Sequence, residues 1–162
     1  FIELDIDNVV GYKKVVEYRR YLEALTNAQP IPVWHRGRGI PEFLRLCEQY
    51  PYVAIGGIVT REIRPSEYKA FPSMIREAHK RGAKVHGLGF TNISKLRSIH
   101  FDSVDSTAWL SGSQYGHIYQ FKNGTMLKYS APEGKRLKSP VRTEIINYIE
   151  WLKFQRYAET NL

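Results

Sequence analysis

The chain has 162 residues, 43% of them apolar, and carries 24 Lys+Arg against 16 Asp+Glu for a formal net charge of +8. That length and apolar content suit one globular core, and no window reaches the unbroken apolar length of a membrane span. A positive field of this size favours polyanions such as nucleic acid or phosphorylated substrates, and the single cysteine, Cys47, excludes a disulfide framework and a thiolate zinc cage and suits a reducing, cytoplasmic setting.

Residue 1 already lies in a strand pattern, with no initiator methionine and no basic-then-apolar leader, which predicts that Phe1 is an internal position of a longer protein. Ile2 to Asp7 reads as a strand, in which Asp5 and Asp7, two apart, share one face. Val15, Tyr18, Leu22 and Leu25 fall at helical spacing, and Pro30-Ile31-Pro32 resets the chain before the run Val33-Trp34-His35. Cys47 lies in the helical pattern of Phe43, Leu44 and Leu46 and reads as a core thiol rather than a nucleophile. A strand from Tyr52 to Gly57 precedes the helical stripe Tyr68, Phe71, Ile75 and Ala78, which Gly82 ends. Another, Lys84 to Gly87, leads to a short helix starting near Asn92 and then to the strand holding Asp102.

This order is βαβαβαβαβ, and strands separated by such helices pair in parallel through right-handed crossovers. After Trp109, Ser111-Gly112-Ser113 reads as a loop, and Ile118–Phe121 meets Met126–Tyr129 across an Asn123-Gly124 hairpin turn. Ile145, Ile149 and Leu152 mark a final amphipathic helix with Pro140 near its start. The expected fold class is α/β: about five parallel strands with intervening helices, the later part of a (β/α)₈ barrel, over residues 1–109, then a hairpin and C-terminal helix over 110–162 completing or extending the same domain. A freestanding doubly wound sheet is the alternative.

The strand-like runs end on polar or glycine tips, and in parallel α/β folds the open carboxyl ends of strands collect reactive groups. In Phe101-Asp102-Ser103-Val104-Asp105, Asp102 is the candidate nucleophile or base, against a plain turn-capping role. Gly56-Gly57 either lets a planar ligand approach the backbone or makes an ordinary tight turn. His86-Gly87-Leu88-Gly89 has the same form, and such a turn also cradles phosphate. His35 and Arg36 either hydrogen-bond a ligand or are solvated. Asp5 and Asp7 either accept from the donor edge of a purine, hold a cation such as Mg²⁺, or sit in water. No metal-ligand spacing joins His35, His86 and Asp102, so no metal site and no cofactor is expected. Tyr115, His117, Tyr119, Phe121, Lys122, Lys128, Tyr129, Lys135, Arg136, Lys138 and Arg142 interleave aromatic and basic character, which either binds nucleic acid or packs alternate rings on a core.

Taken in order, Val33-Trp34-His35-Arg36-Gly37, Phe43-Leu44-Arg45, Tyr52-Val53-Ala54-Ile55-Gly56-Gly57-Ile58, His86-Gly87-Leu88-Gly89 and Phe101-Asp102-Ser103-Val104 resemble the second half of the tRNA-guanine transglycosylases (queuine and archaeosine tRNA-ribosyltransferases), in particular short, zinc-free phage relatives that act on DNA. The resemblance covers residues 1–109 and implies a (β/α)₈ barrel that exchanges guanine for a 7-deazaguanine. By that resemblance Asp102 matches the nucleophile that attacks ribose C1′; Gly56, Gly57 and Ile58 match the backbone that bonds the base. Asp7, or Asp5 if the register slips, matches the aspartate that reads the guanine edge; His35 stands where the family has glutamine; His86 and Gly87 match the pocket floor.

The implied partners are tRNA or DNA and a free guanine or 7-deazaguanine base, with no membrane, and a homodimer stays open. The family's zinc site is absent, Ser106-Thr107-Ala108-Trp109 replaces its Arg-containing stretch, and its second acid would precede Phe1, so this stretch by itself is expected to be inactive. A non-catalytic partner subunit of the same fold and a small phosphosugar-binding barrel are the alternatives.

Overall fold

The computed structural model describes residues 1–90, 92–130 and 139–162, so Lys135, Arg136 and Lys138 lie outside the described residues. Two compact units emerge: Phe1–Phe90 with Ile99–Asp105, and Thr91–Ser98 with Ser106–Leu162.

The first unit is α/β. Its sheet contains β1 (Val33–Trp34), β2 (Tyr52–Ile55), β3 (Lys84–Gly87) and β4 (Ser103–Val104), all parallel and in chain order. Register aligns Val33, Ala54, His86 and Ser103 across the sheet, and Trp34, Ile55, Gly87 and Val104 beside them. Because strand side chains alternate, these two rows occupy opposite faces.

Helices cover the second row. Helix α1 (Asp7–Val10) and helix α2 (Tyr12–Thr26) come before the sheet, α3 (Gly39–Gln49) follows β1, and α4 (Phe71–Lys80) follows β2. Phe43 of α3 meets Trp34 edge-on at 5.6 Å, while Phe71 of α4 joins Phe90 and Phe101 at ring separations of 5.2–6.3 Å. Gly87 is glycine because the Phe101 ring lies where its side chain would go, 3.0 Å from an added Cβ. Val53, Ile55, Val85, Phe43, Leu46 and Phe71 are buried, and the apolar stripe of α4 faces inward as its spacing predicts. Cys47 is buried among them, and burial pushes its thiol up to about 11, so it is a core residue.

Three expectations change in this unit. The strand expected over residues 2–7 contracts to a parallel bridge between Ile2 and Ile31. Glu3 turns inward there, and its carboxylate accepts from Val33 N (2.7 Å), taking the place a longer ladder would use. Asp5 and Asp7 therefore do not share a strand face; Asp7 opens α1, where an acid suits the helix N-terminus. On α2 the expected stripe is buried only in part, with Val15 buried, Leu22 half-buried and Tyr18 and Leu25 exposed, because the helix also docks through buried Arg19 onto Glu3 (2.5 and 3.2 Å). Finally, β4 begins at Ser103, so Asp102 precedes it.

The second unit holds α5 (Ile93–Ile99, all but its last residue), α6 (Ala108–Gln114), the hairpin β5 (His117–Lys122) and β6 (Thr125–Ser130), and α7 (Pro140–Asn161). Asn123 and Gly124 both take positive φ (52° and 73°), the turn that Asn-Gly favours in a hairpin. Residues 111–113 are helical, not a loop, and Gly112 packs so tightly that an added Cβ would meet Tyr119 at 2.6 Å and Asn147 at 2.7 Å. Helix α7 buries Thr143, Asn147 and Phe154 and exposes Ile145 and Ile149, the reverse of its apolar pattern. Polar bonding decides this: Asn147 accepts from Tyr119 N (2.8 Å) and donates to His117 O (3.1 Å), and Glu150 accepts from Phe121 N (2.7 Å). The helix thus satisfies the open edge of β5. Among the described residues no helix is long and apolar enough to cross a membrane.

Candidate functional site

His35, Gly56-Gly57, Leu88-Gly89 and Asp105 leave the carboxyl ends of β1 to β4, within the first unit. Asp5 and Asp7 join the β1 end from the N-terminal segment. His35 is buried with both ring nitrogens against carboxylates: Nε2 on Asp5 Oδ1 (2.6 Å) and Nδ1 on Glu62 Oε2 (2.7 Å). Ionised carboxylates only accept, so each nitrogen carries a proton and the ring is an imidazolium. The Asp5 hydrogen bond raises the His35 pKa to about 9, with Glu62 adding to it and burial opposing. Glu62 is completed by Gly37 N (3.0 Å).

Arg38 plays the same part for Asp7, donating from Nη2 to Oδ2 at 2.6 Å while its guanidinium stacks 3.9 Å from the Tyr12 ring. Partial burial pushes the Asp7 carboxyl up, but the Arg38 hydrogen bond, with the charges of His35 and Arg38 behind it, more than offsets this and holds it below the ordinary carboxylate range. Asp5, Asp7 and His35 offer ligand atoms within 4.8 Å of one another and could share a cation. Two organic cations already sit there, however, and a metal would have to displace His35 from Asp5 and Arg38 from Asp7. Asp5, Asp7 and Glu62 outnumber His35 and Arg38, so the cluster keeps one negative charge, which suits a ligand edge rich in N–H donors.

The raised His35 pKa has a measurable consequence. The folded value lies above the ordinary 6.5, so the stabilisation is present in full below that pH and is lost as pH rises through about 9. The loss is on the order of 3 kcal/mol at most, read as a fall in urea midpoint between about pH 6 and about pH 10. A His35→Gln variant is expected to flatten that fall; an equal fall in the variant overturns the assignment.

Gly56 and Gly57 let the chain pass directly over this cluster. An added Cβ on Gly56 would lie 2.8 Å from His35 Nε2, and one on Gly57, whose φ is +76°, 2.7 Å from Glu62 Oε2. The Gly56 N–H is committed to Trp34 O (2.9 Å), so that amide is not a ligand donor, and the Ile58 side chain is buried.

At the other end of the row, Asp105 Oδ1 accepts from Gly89 N (2.5 Å) and lies 3.2 Å from His86 Nε2. His86 Nδ1 is 2.7 Å from Ser103 Oγ, which in turn bonds the Tyr52 hydroxyl. Leu88 N and Phe90 N donate to Ile55 O and Gly87 O. With these amides committed, and a carboxylate already on Gly89 N, the glycine turn does not present a phosphate cradle. Gly87 serves packing against Phe101 on the helix-covered face rather than a pocket floor.

Asp102 stands apart. Its N–H donates to Val85 O (3.0 Å), and its Oδ2 accepts from Val85 N (2.7 Å) and pairs with His79 Nε2 (2.9 Å). Val85 lies near the amino end of β3, His79 near the end of α4 and Asp102 just before β4, so Asp102 clamps the far end of the sheet and the acid at the tip is Asp105. The spacing held the signal: Ser103 pairs with His86, and Asp105, two residues on, continues along the same face. Glu62 and Arg38 escaped sequence reasoning because only folding brings them to the tips, and Tyr52 and Ser103 because only strand pairing sets them beside His86.

In the second unit the aromatic-basic stretch divides. Tyr119 and Phe121 pack on Trp151, Phe154 and Tyr157 at 5.4–5.8 Å, whereas Tyr115, Tyr129, Lys122, Lys128 and Arg142 are exposed. Compared with known proteins, the chain matches no family model, and no curated protein or solved structure is significantly similar to it.

Proposed function

We propose that the row of strand tips is part of a purine pocket in a (β/α)-barrel base-exchange transglycosylase, replacing guanine by a 7-deazaguanine in tRNA or DNA, with Asp105 rather than Asp102 as its nucleophile. The placement of Asp105 carries this reading: one oxygen is pinned by Gly89 N and aligned on His86, and the other makes no hydrogen bond among the described residues. Strand order equal to chain order, with α3 and α4 packed on one face, supports a barrel segment over a doubly wound sheet, whose order reverses.

The chemistry follows from a carboxylate below the sugar. Asp105 Oδ2 forms a bond to C1′ as the C1′–N9 bond breaks, its electron pair leaving on the purine, which takes up a proton from water; the incoming base then bonds C1′ through its ring nitrogen, gives up that nitrogen's proton to water and returns the pair to the carboxylate. The polymer stays intact. Asp5, with Oδ1 held by His35, offers Oδ2 to the N–H edge of the base.

The test is incorporation of labelled guanine or 7-deazaguanine into tRNA and duplex DNA, with the chain expressed together with any contiguous reading frame. Absence of both incorporation and saturable purine binding overturns the reading; purine binding without transfer selects a non-catalytic member of the fold. Arg36, Arg61 and Arg64 are exposed in the loops after β1 and β2, beside the tips. Changing Arg61 and Arg64 to Glu is expected to weaken nucleic-acid binding across all sequences and to lower its logarithmic salt slope by about 1 for each phosphate no longer neutralised. An unchanged slope in a salt titration removes these arginines from the interface.

A further inference from the structure

We propose that His86 is a positioning residue for Asp105, fixed in its neutral Nε2–H form by a directed hydrogen-bond chain that crosses three strands from Tyr52 through Ser103. The inference rests on the role given to Asp105, but the chain itself is measurable without turnover.

The direction of the chain is set from its charged end. Asp105 Oδ1 already accepts from Gly89 N, and an ionised carboxylate has no proton to give, so His86 Nε2 supplies one. In the proposed form Nδ1 carries a lone pair, and the group against it is Ser103 Oγ at 2.7 Å. Ser103 has a single proton, which goes to Nδ1; its own lone pair therefore accepts the Tyr52 phenol proton. In this arrangement Ser103 and His86 each donate once and accept once, Tyr52 donates at one end and Asp105 Oδ1 accepts at the other.

Sheet geometry brings the four together. His86 and Ser103 are register partners, Asp105 lies two residues beyond Ser103, and Tyr52 lies two before Ala54, the partner of His86 on β2. All four side chains fall on the face that α3 and α4 leave uncovered. His86 is only 8% exposed, so its ring is largely shielded from water that could scramble the order.

His35 supplies an internal contrast. Two carboxylates flank His35 and draw protons onto both nitrogens, whereas a hydroxyl and a carboxylate flank His86 and divide its nitrogens into an acceptor and a donor. One row of strand tips thus holds two histidines with different flanking groups, each hydrogen-bonded to an aspartate. For Asp105 the result is a carboxylate with one oxygen pinned and the other aimed outward, the preorganisation a nucleophile needs.

The test is two-bond ¹H–¹⁵N spectroscopy on the ¹⁵N-histidine-labelled full chain at neutral pH. The expected pattern is two protonated nitrogens on His35 and, on His86, a protonated Nε2 with a bare Nδ1. Asp105→Ala, which removes the acceptor at Nε2, is expected to mix the two His86 tautomers. A doubly protonated His86, an Nδ1–H form, or a pattern unmoved by Asp105→Ala overturns the chain.

Positioning is read separately from the ¹³Cγ line of Asp105. It is expected to be single in wild type, averaged in His86→Ala, and single again in His86→Gln, whose amide N–H replaces Nε2–H. A line indifferent to His86→Ala overturns the positioning role. Where base exchange is measured, His86→Ala is expected to lower kcat on the order of 10²-fold with KM little changed, and His86→Gln to recover part of it. Absence of exchange in wild type counts against the transglycosylase reading alone, since both spectroscopic arms still decide this one.

Discussion

Asp105→Ala is expected to abolish base exchange, by roughly 10⁴-fold or more, the scale on which loss of a catalytic nucleophile acts in other covalent enzymes. Asp102→Ala is expected to leave exchange largely intact and to lower stability instead. The two acids are three positions apart, yet parallel pairing sends them to opposite ends of the sheet. Asp102 Oδ2 accepts from Val85 N at 2.7 Å, and removing it strands that buried amide at a cost of about 1–3 kcal/mol. The exposed His79 partner adds little. Asp102→Asn keeps an accepting oxygen and is expected to restore most of the loss. Labelled-base incorporation and urea denaturation on the two variants separate the roles; if Asp102→Ala alone stops transfer, Asp105 is not the nucleophile.

Arg19→Met is expected to destabilise the first unit by about 3–5 kcal/mol, because it leaves Glu3 as an uncompensated buried charge. Both side chains of this pair are 2% exposed, and Glu3 also accepts from Val33 N, so the pair fastens α2 and the N-terminal segment to the first strand of the sheet. Tyr50, whose ring lies 5.3 Å from the Arg19 guanidinium, closes one side. Glu3→Gln combined with Arg19→Met removes both charges and is expected to recover a large part of the loss. A denaturation midpoint that barely moves in Arg19→Met would show that the helix is held by its apolar contacts instead.

Both expected effects concern acids whose surroundings local pattern does not describe. Asp102 and Asp105 look alike in sequence, each preceded by an apolar residue and followed by serine. What distinguishes them is that β4 begins at Ser103, and that follows from its pairing with His86 across a connection containing α5. Glu3 looks like the polar position of an alternating strand, yet it is 5% exposed because Arg19, sixteen residues on, neutralises it. The same holds for α7, where Ile145 and Ile149 promise an inward face and Asn147 takes it, since the edge amides of β5 cost more to leave unpaired than apolar side chains cost to expose.

Local chemistry by itself determined the order of strands and helices from residue 33 to residue 87, the Asn123-Gly124 turn, the burial of Cys47 and the core stripe of α4. These depend on periodicity and on backbone preferences that act over a few residues, and neighbours along the chain suffice to express them. Tertiary structure alone decided which aspartate reaches the strand tips, that His35 sits between two carboxylates while His86 sits between a hydroxyl and one carboxylate, and that Glu62 and Arg38 belong to the cluster. Hydrogen bonds and charges act through space over a few ångströms, and residues 30 positions apart, such as Asp5 and His35, come within that range only once the sheet has formed.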